Sequence, residues 1–166
     1  MPAADRPHKP GPARLVLVCG LPGAGKTTTA TAVASALGAV RLCPDEWMIQ
    51  LGCDLFDQVV RGRVEALQWE LAQQLLALGT HVVIEWGLWS RRERDALRQR
   101  ARALGAAVEL RYLDAPVEVL WHRIVSRGRE AAFASRTITR AELEEWAAAF
   151  EAPDPAELTL YDPPSV

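Results

Sequence analysis

At 166 residues, with 49% hydrophobic and 24% charged residues and a formal net charge of −2, the chain has the length and balance of one soluble globular domain. That length excludes a large ATP-driven machine acting alone, and the slightly negative charge excludes the global basic field of a protein that coats a polyanion. Three cysteines without paired spacing (Cys19, Cys43 and Cys53) exclude a disulfide scaffold; with no apolar signal core and no bilayer-length apolar segment, the expected compartment is the cytoplasm.

Residues 1–13 are rich in proline and read as a short disordered leader before a domain at 14–166. Arg14–Cys19 is an apolar, β-rich run, and Lys26–Leu37 is helical in character, closed by Gly38. A second short strand spans Ala39–Leu42, with a helix through Trp47–Leu51 and a loop through Gly52–Asp57. Val60, Val64, Leu67, Leu71, Leu75 and Leu78 then recur at helical spacing within Val59–Leu78, and Gly79 stops the helix.

His81–Trp86 reads as a buried strand, Arg91–Leu104 as a helix ended by Gly105, and Val108–Leu113 as the next strand. Pro116 opens a helix through Arg127, a polar stretch with Gly128 follows, a helix covers Arg140–Phe150, and Leu158–Tyr161 suggests a final strand. Strands alternating with helices at this spacing predict an α/β fold of three layers: a parallel sheet covered on both faces, with right-handed crossovers. Ligands of such sheets gather at the carboxyl ends of the strands, so chemistry is sought there.

Between the first strand and first helix lies Gly20-Leu-Pro-Gly-Ala-Gly-Lys26-Thr27, a complete G-x-x-x-x-G-K-[ST] phosphate loop. Its glycines let the backbone turn so that successive N–H groups point inward, and the helix adds its positive end. Gly20, Pro22, Gly23, Ala24, Gly25, Lys26, Thr27 and Thr28 are therefore the expected nucleotide contacts. Lys26 is one of only two lysines in an arginine-rich chain, and its ammonium spans the β- and γ-phosphates as a point charge. The Thr27 hydroxyl is placed to meet Mg2+.

Glu85 ends the His81 strand as a Walker-B-like carboxylate, expected to hold Mg2+ through its water shell or to orient a nucleophile. Asp45 follows the second strand and is the candidate base for an acceptor hydroxyl, a role compatible with capping a helix. Arg123 and Arg127 stand four apart on one helix face, as residues that flank phosphates and neutralise charge during transfer; Arg136 and Arg140 are further lid candidates. Trp47, Trp86 and Trp89 fall beside strand ends and are expected to wall an acceptor pocket, with Arg91 at its margin. Trp69, Trp121 and Trp146 read as packing, His81 and His122 as structural. The arginine cluster Arg91–Arg102 reads mostly as a solvated face.

The phosphate loop, Pro44-Asp45-Glu46-Trp47, Glu85-Trp-Gly-Leu-Trp-Ser-Arg91 and Leu120-Trp-His-Arg123-Ile-Val-Ser-Arg127 together resemble the small AAA_33-type P-loop kinases, similar in plan to chloramphenicol phosphotransferase, shikimate kinase and gluconate kinase. The resemblance runs from about Arg14 to Phe150. It implies a parallel sheet of strand order 2-3-1-4-5 and ATP-Mg2+ as donor. It further implies Asp45 as the acceptor-side base, Arg127 as the lid arginine, and an acceptor site formed in part by Trp86 to Arg94. Glu85 stands where many relatives carry aspartate, and the stretch from Gly128 to Arg140 is short for a lid.

The expected activity is transfer of the γ-phosphoryl group to a hydroxyl of a small molecule: an antibiotic, a sugar or a nucleoside. A 5′-hydroxyl polynucleotide kinase shares the same core, but the net negative charge and the lack of a continuous basic stripe argue against a nucleic-acid partner. A nucleotide-binding switch without an acceptor is the third reading. The acceptor, the choice of ATP over GTP and the oligomeric state are left open by sequence.

Overall fold

Five apolar residues in a row after Arg14 make β1 (Arg14–Cys19) the buried centre of the sheet. In the computed structural model, which describes residues 11–128 and 137–166, β1 is followed by α1 (Lys26–Leu37), β2 (Val40–Leu42), α2 (Pro44–Gln50), α3 (Gln58–Ala77), β3 (Val82–Ile84), α4 (Arg91–Ala103), β4 (Ala107–Tyr112), α5 (Val117–Gly128), α6 (Arg140–Ala149) and α7 (Pro155–Leu158). The four strands are ordered β2-β3-β1-β4, and every pairing is parallel. Leu15 of β1 lies between Val82 and Val108, so β1 has a partner on each side.

Alternation along β1 creates the three layers. Leu15, Leu17 and Cys19 face a cluster with Trp69, Leu76 and Leu97 from α3 and α4, whereas Val16 and Val18 face Ala30, Val33 and Ala34 from α1. A third cluster joins Ala24 to Leu120 and Leu143, fastening α5 and α6 beside the phosphate loop.

Helix starts follow their caps. Asp57 caps α3 by accepting from Val59 N and Val60 N, and Ser90 with Glu93 forms a capping box on α4. The helix expected from Trp47 begins three residues earlier, because Pro44 at the first helical position has its φ preset and Asp45 and Glu46 favour the positive helix end. Asp45 is thus inside the first turn of α2 and not its cap; Cys43 occupies that position.

The expected fifth strand at Leu158–Tyr161 is absent among the described residues. Asp154 accepts from Glu157 N and Pro155 follows the cap, so the chain turns into α7 instead. The outer edge of β4 is covered by hydrogen bonds, Val108 N to Asp162 Oδ2 at 2.7 Å and Asp162 N to Val108 O at 2.8 Å. The expected leader falls on residues 1–10, outside the described ones, apart from 11–13. There Ala13 is buried, and its carbonyl accepts from Ala107 N at 2.8 Å.

Most of the arginine face of α4 is exposed or half-buried as expected, but Arg94 is fully buried. It donates through Nε to Glu157 Oε1 at 2.6 Å, through Nη2 to Glu157 Oε2 at 2.8 Å, and through Nη1 to Leu88 O at 2.9 Å. One guanidinium therefore ties α4, the segment after β3 and α7 together. Burial disfavours its charge, but the Glu157 hydrogen bonds and charge outweigh that and raise its pKa. Glu157→Gln is expected to cost about 3–5 kcal/mol in urea unfolding, since it leaves the buried guanidinium without its counter-charge; a loss under about 1 kcal/mol would contradict that role.

Candidate functional site

The phosphate loop has the geometry its glycines require. Gly23 has φ +83°, and a Cβ there would lie 3.0 Å from Leu120 O; at Gly20 it would lie 2.9 Å from Leu113 O. Gly25 caps α1 in the left-handed conformation without a side-chain hydrogen bond, and no acid stands in the first turn. The N-terminus of α1 thus keeps its partial positive charge for an anion.

Lys26 folds back over this loop, donating to Gly20 O at 2.9 Å and Leu21 O at 3.0 Å. Burial lowers its pKa, opposed first by the negative charge of Asp45 and then by that of Glu85. A desolvated ammonium held over a glycine-lined turn by carbonyls is suited to phosphate oxygens.

Thr27 donates its hydroxyl to Glu85 Oε1, joining the start of α1 to the end of β3. Glu85 is 6% exposed and its backbone N donates to Leu42 O at 3.0 Å, so strand pairing fixes its position. The two side chains supply hard oxygen donors suited to Mg2+. Among the described residues no group of three His, Cys, Asp or Glu could hold a metal.

Arg41 of β2 donates through Nη1 to Glu85 Oε2 at 2.5 Å and through Nη2 to Glu46. Asp45 is exposed on α2 and accepts from Arg61 of α3, which also donates to Leu55 O at 3.3 Å and lies 3.9 Å from Glu65. Sequence reasoning missed both arginines. The available signal was an arginine inside an otherwise apolar strand four residues before Asp45, and an arginine four before Glu65 on one helix face.

On α5, Arg123 donates through Nη1 to Gly23 O at 3.2 Å and Ala24 O at 3.5 Å, which brings it onto the phosphate loop. Arg127 is exposed in the last turn of α5, and its charge also acts to lower the Lys26 pKa. Arg136 lies outside the described residues, while Arg140 pairs with Glu118 and Glu144.

The tryptophans divide. Trp47 is half-buried on α2 and lines a hollow of about 350 Å³ with Glu46, Gln50 and Leu51. Trp89 packs edge-on against Trp146 at 6.0 Å, and its ring lies so close to Gly87 that a Cβ there would sit 2.4 Å from the indole nitrogen. Trp86 instead turns into the core, 8% exposed, and donates to Gln68 Oε1 at 2.9 Å. It contributes to a groove of about 570 Å³ with Glu65, Trp69, Leu97 and Arg100. Arg91 is engaged at the surface, 3.6 Å from both Asp95 and Asp154. His81, read as structural, accepts from Arg14 N at 3.0 Å.

Two thiols near the site are shielded. Burial pushes Cys19 up to about 12 and Cys43 up to about 11, whereas Cys53 is partly exposed. Iodoacetamide near neutral pH is expected to alkylate Cys53 in the native protein and to spare Cys19 and Cys43, read by peptide mass spectrometry. Modification of Cys19 at the rate of Cys53 would contradict the shielding.

Among the described residues, no helix is long and apolar enough to cross a membrane. No curated protein of established function matches the chain. Among solved structures, the chain is similar to a protein of the Pnkp1/Rnl/Hen1 RNA repair complex at 21% identity and a TM-score of 0.72, covering 84% of this chain and 44% of that one. It therefore spans less than half the length of that relative. An unliganded sugar kinase from Janibacter sp. HTCC2649 is 28% identical with a TM-score of 0.60, over 88% of this chain and 82% of that one. Chaetomium thermophilum Kti12 in complex with ADP-AlF3 is 19% identical with a TM-score of 0.66, over 86% and 82%. The AAA_33 model, described as an AAA domain, matches residues 15–153. With the phosphate loop between β1 and α1 and a parallel P-loop sheet behind it, the chain belongs to the AAA_33 family, a small P-loop kinase-like family.

Proposed function

We propose that the chain transfers the γ-phosphoryl group of ATP to a hydroxyl of a small molecule such as an antibiotic, a sugar or a nucleoside. The observation that carries this reading is the placement of Asp45: an exposed carboxylate in the first turn of α2, just past the carboxyl end of β2, in the sheet whose central strand leads into the phosphate loop. In this reading Asp45 serves as the base on the acceptor side of the phosphate loop. The likeness to a sugar kinase at 28% identity supports a hydroxyl acceptor.

In this reading the loop amides, Lys26 and Arg123 hold the phosphates, Arg127 answers the charge that shifts during transfer, and Asp45 takes the proton of the acceptor hydroxyl. Thr27 and Glu85 would hold Mg2+, Glu85 through water; when bound, the ion neutralises charge on the β- and γ-phosphates. Trp47 and Trp89 would line the acceptor side, and Arg91 would serve from its margin after leaving its carboxylate partners. Trp86 would shape the pocket from behind, because its ring is buried.

A panel of sugars, nucleosides and antibiotics, with a 5′-hydroxyl oligonucleotide included at low and high salt, tests the reading by mass spectrometry with ATP and MgCl2. A phosphorylated small molecule is the expected product. Phosphorylation of the oligonucleotide alone would replace this reading with a polynucleotide kinase, and slow hydrolysis unaffected by any compound would favour a nucleotide switch.

A further inference from the structure

We infer that Arg41 is a positioning residue that couples Glu85, on the metal side of the site, to α2, the helix that carries Asp45. The inference rests on the phosphotransferase reading and deepens it. Arg41 occupies the middle of β2, with its backbone in register with Val83 of β3. Two carboxylates share its guanidinium: Glu85, whose side chain is 4% exposed, and Glu46, whose side chain is 52% exposed. The Glu85 carboxylate is used on both sides, since Oε1 accepts from Thr27 and Oε2 from Arg41.

A buried carboxylate needs such partners, and a planar fork can serve two acids on different elements at once. The resulting chain of contacts runs from Thr27 on α1 through Glu85 and Arg41 to Glu46 in the first turn of α2. Asp45 is the residue before Glu46, and its own contact with Arg61 carries the chain into α3. Thr27, in turning its hydroxyl toward a bound Mg2+-nucleotide, would release Glu85 Oε1, and Arg41 would pass that change to Glu46 and so to the turn of α2 that carries Asp45. A lysine at this position would supply charge without the fork.

Hydrogen exchange, followed by mass spectrometry on the full chain with and without a non-hydrolysable ATP analogue and MgCl2, tests the coupling. In the wild type, ligand is expected to slow exchange both in the phosphate loop (residues 20–28) and in α2. In R41Q, R41K and E46A the loop response is expected to persist and the α2 response to be lost. E46A removes the acceptor of the half-exposed arm and leaves Glu85 its partner, so loss there is not explained by a collapsed metal site. Should R41Q not fold, R41K and E46A decide the matter. Persistence of the α2 response in both would overturn the coupling. A wild-type phosphate loop that does not respond to the ligand would overturn the phosphotransferase reading, and this inference with it.

Discussion

Asp45→Asn is expected to lower phosphoryl transfer by about 10²–10⁴-fold, the usual contribution of a positioned general base, while leaving MgATP affinity nearly intact. The amide keeps the size of the carboxylate and an oxygen that can accept from Arg61, so α2 and α3 stay joined. What it loses is the capacity to take a proton. Removing the Asp45 charge also withdraws one of the influences that favour the Lys26 ammonium, but Glu85 still acts in the same direction. Calorimetric titration of MgATP, beside turnover with a hydroxyl compound that the wild type phosphorylates, separates the two effects. Equal losses in binding and turnover would remove Asp45 from the role of base.

Lys26→Ala should act at the earlier step. Truncating one partner of a buried, hydrogen-bonded charge pair typically costs about 2–5 kcal/mol, which corresponds to a loss of MgATP affinity of at least about 30-fold. Without nucleotide, the ammonium rests on Gly20 O and Leu21 O, contacts it must exchange for phosphate oxygens. The exchange is favourable because phosphate is charged and carbonyls are not. The variant should therefore bind adenosine and MgATP with similar weakness, whereas wild type strongly prefers MgATP. Wild-type affinity in the variant would refute the assignment of Lys26.

How legible these features were depended on whether a residue's partners lie nearby in sequence. The phosphate loop is contiguous and its glycines answer to local backbone demands, so sequence located it and the structure gives Gly23 and Gly25 positive φ. The central strands were equally plain, being apolar runs with both faces buried. Arg94 was misjudged because it pairs with Glu157, 63 residues away, and from its own helix it looks like its solvated neighbours. Arg41 and Arg61 were missed for a related reason: strand and helix patterns tell which face a residue occupies, not which charge meets it there.

Trp86 shows another limit. The run Val82–Trp86 is buried throughout, so no alternation marked where the strand ends and a pocket could begin. At the C-terminus the apolar stretch Leu158–Tyr161 suggested a strand, but Asp154-Pro155-Ala-Glu157 carried a helix-start signal that outweighed it. Asp45 was found as a candidate because an acid after a strand end in a parallel sheet is well placed whatever its partners are.

Phosphorus NMR of the wild-type protein with ATP, MgCl2 and a pool of small hydroxyl compounds is the most direct measurement of transfer at this site, with Asp45→Asn run in parallel. A phosphate-ester resonance growing as ATP is consumed, and absent with Asp45→Asn, is the predicted result. Consumption of ATP to inorganic phosphate alone, at the same rate in both proteins and with every compound tried, would contradict it.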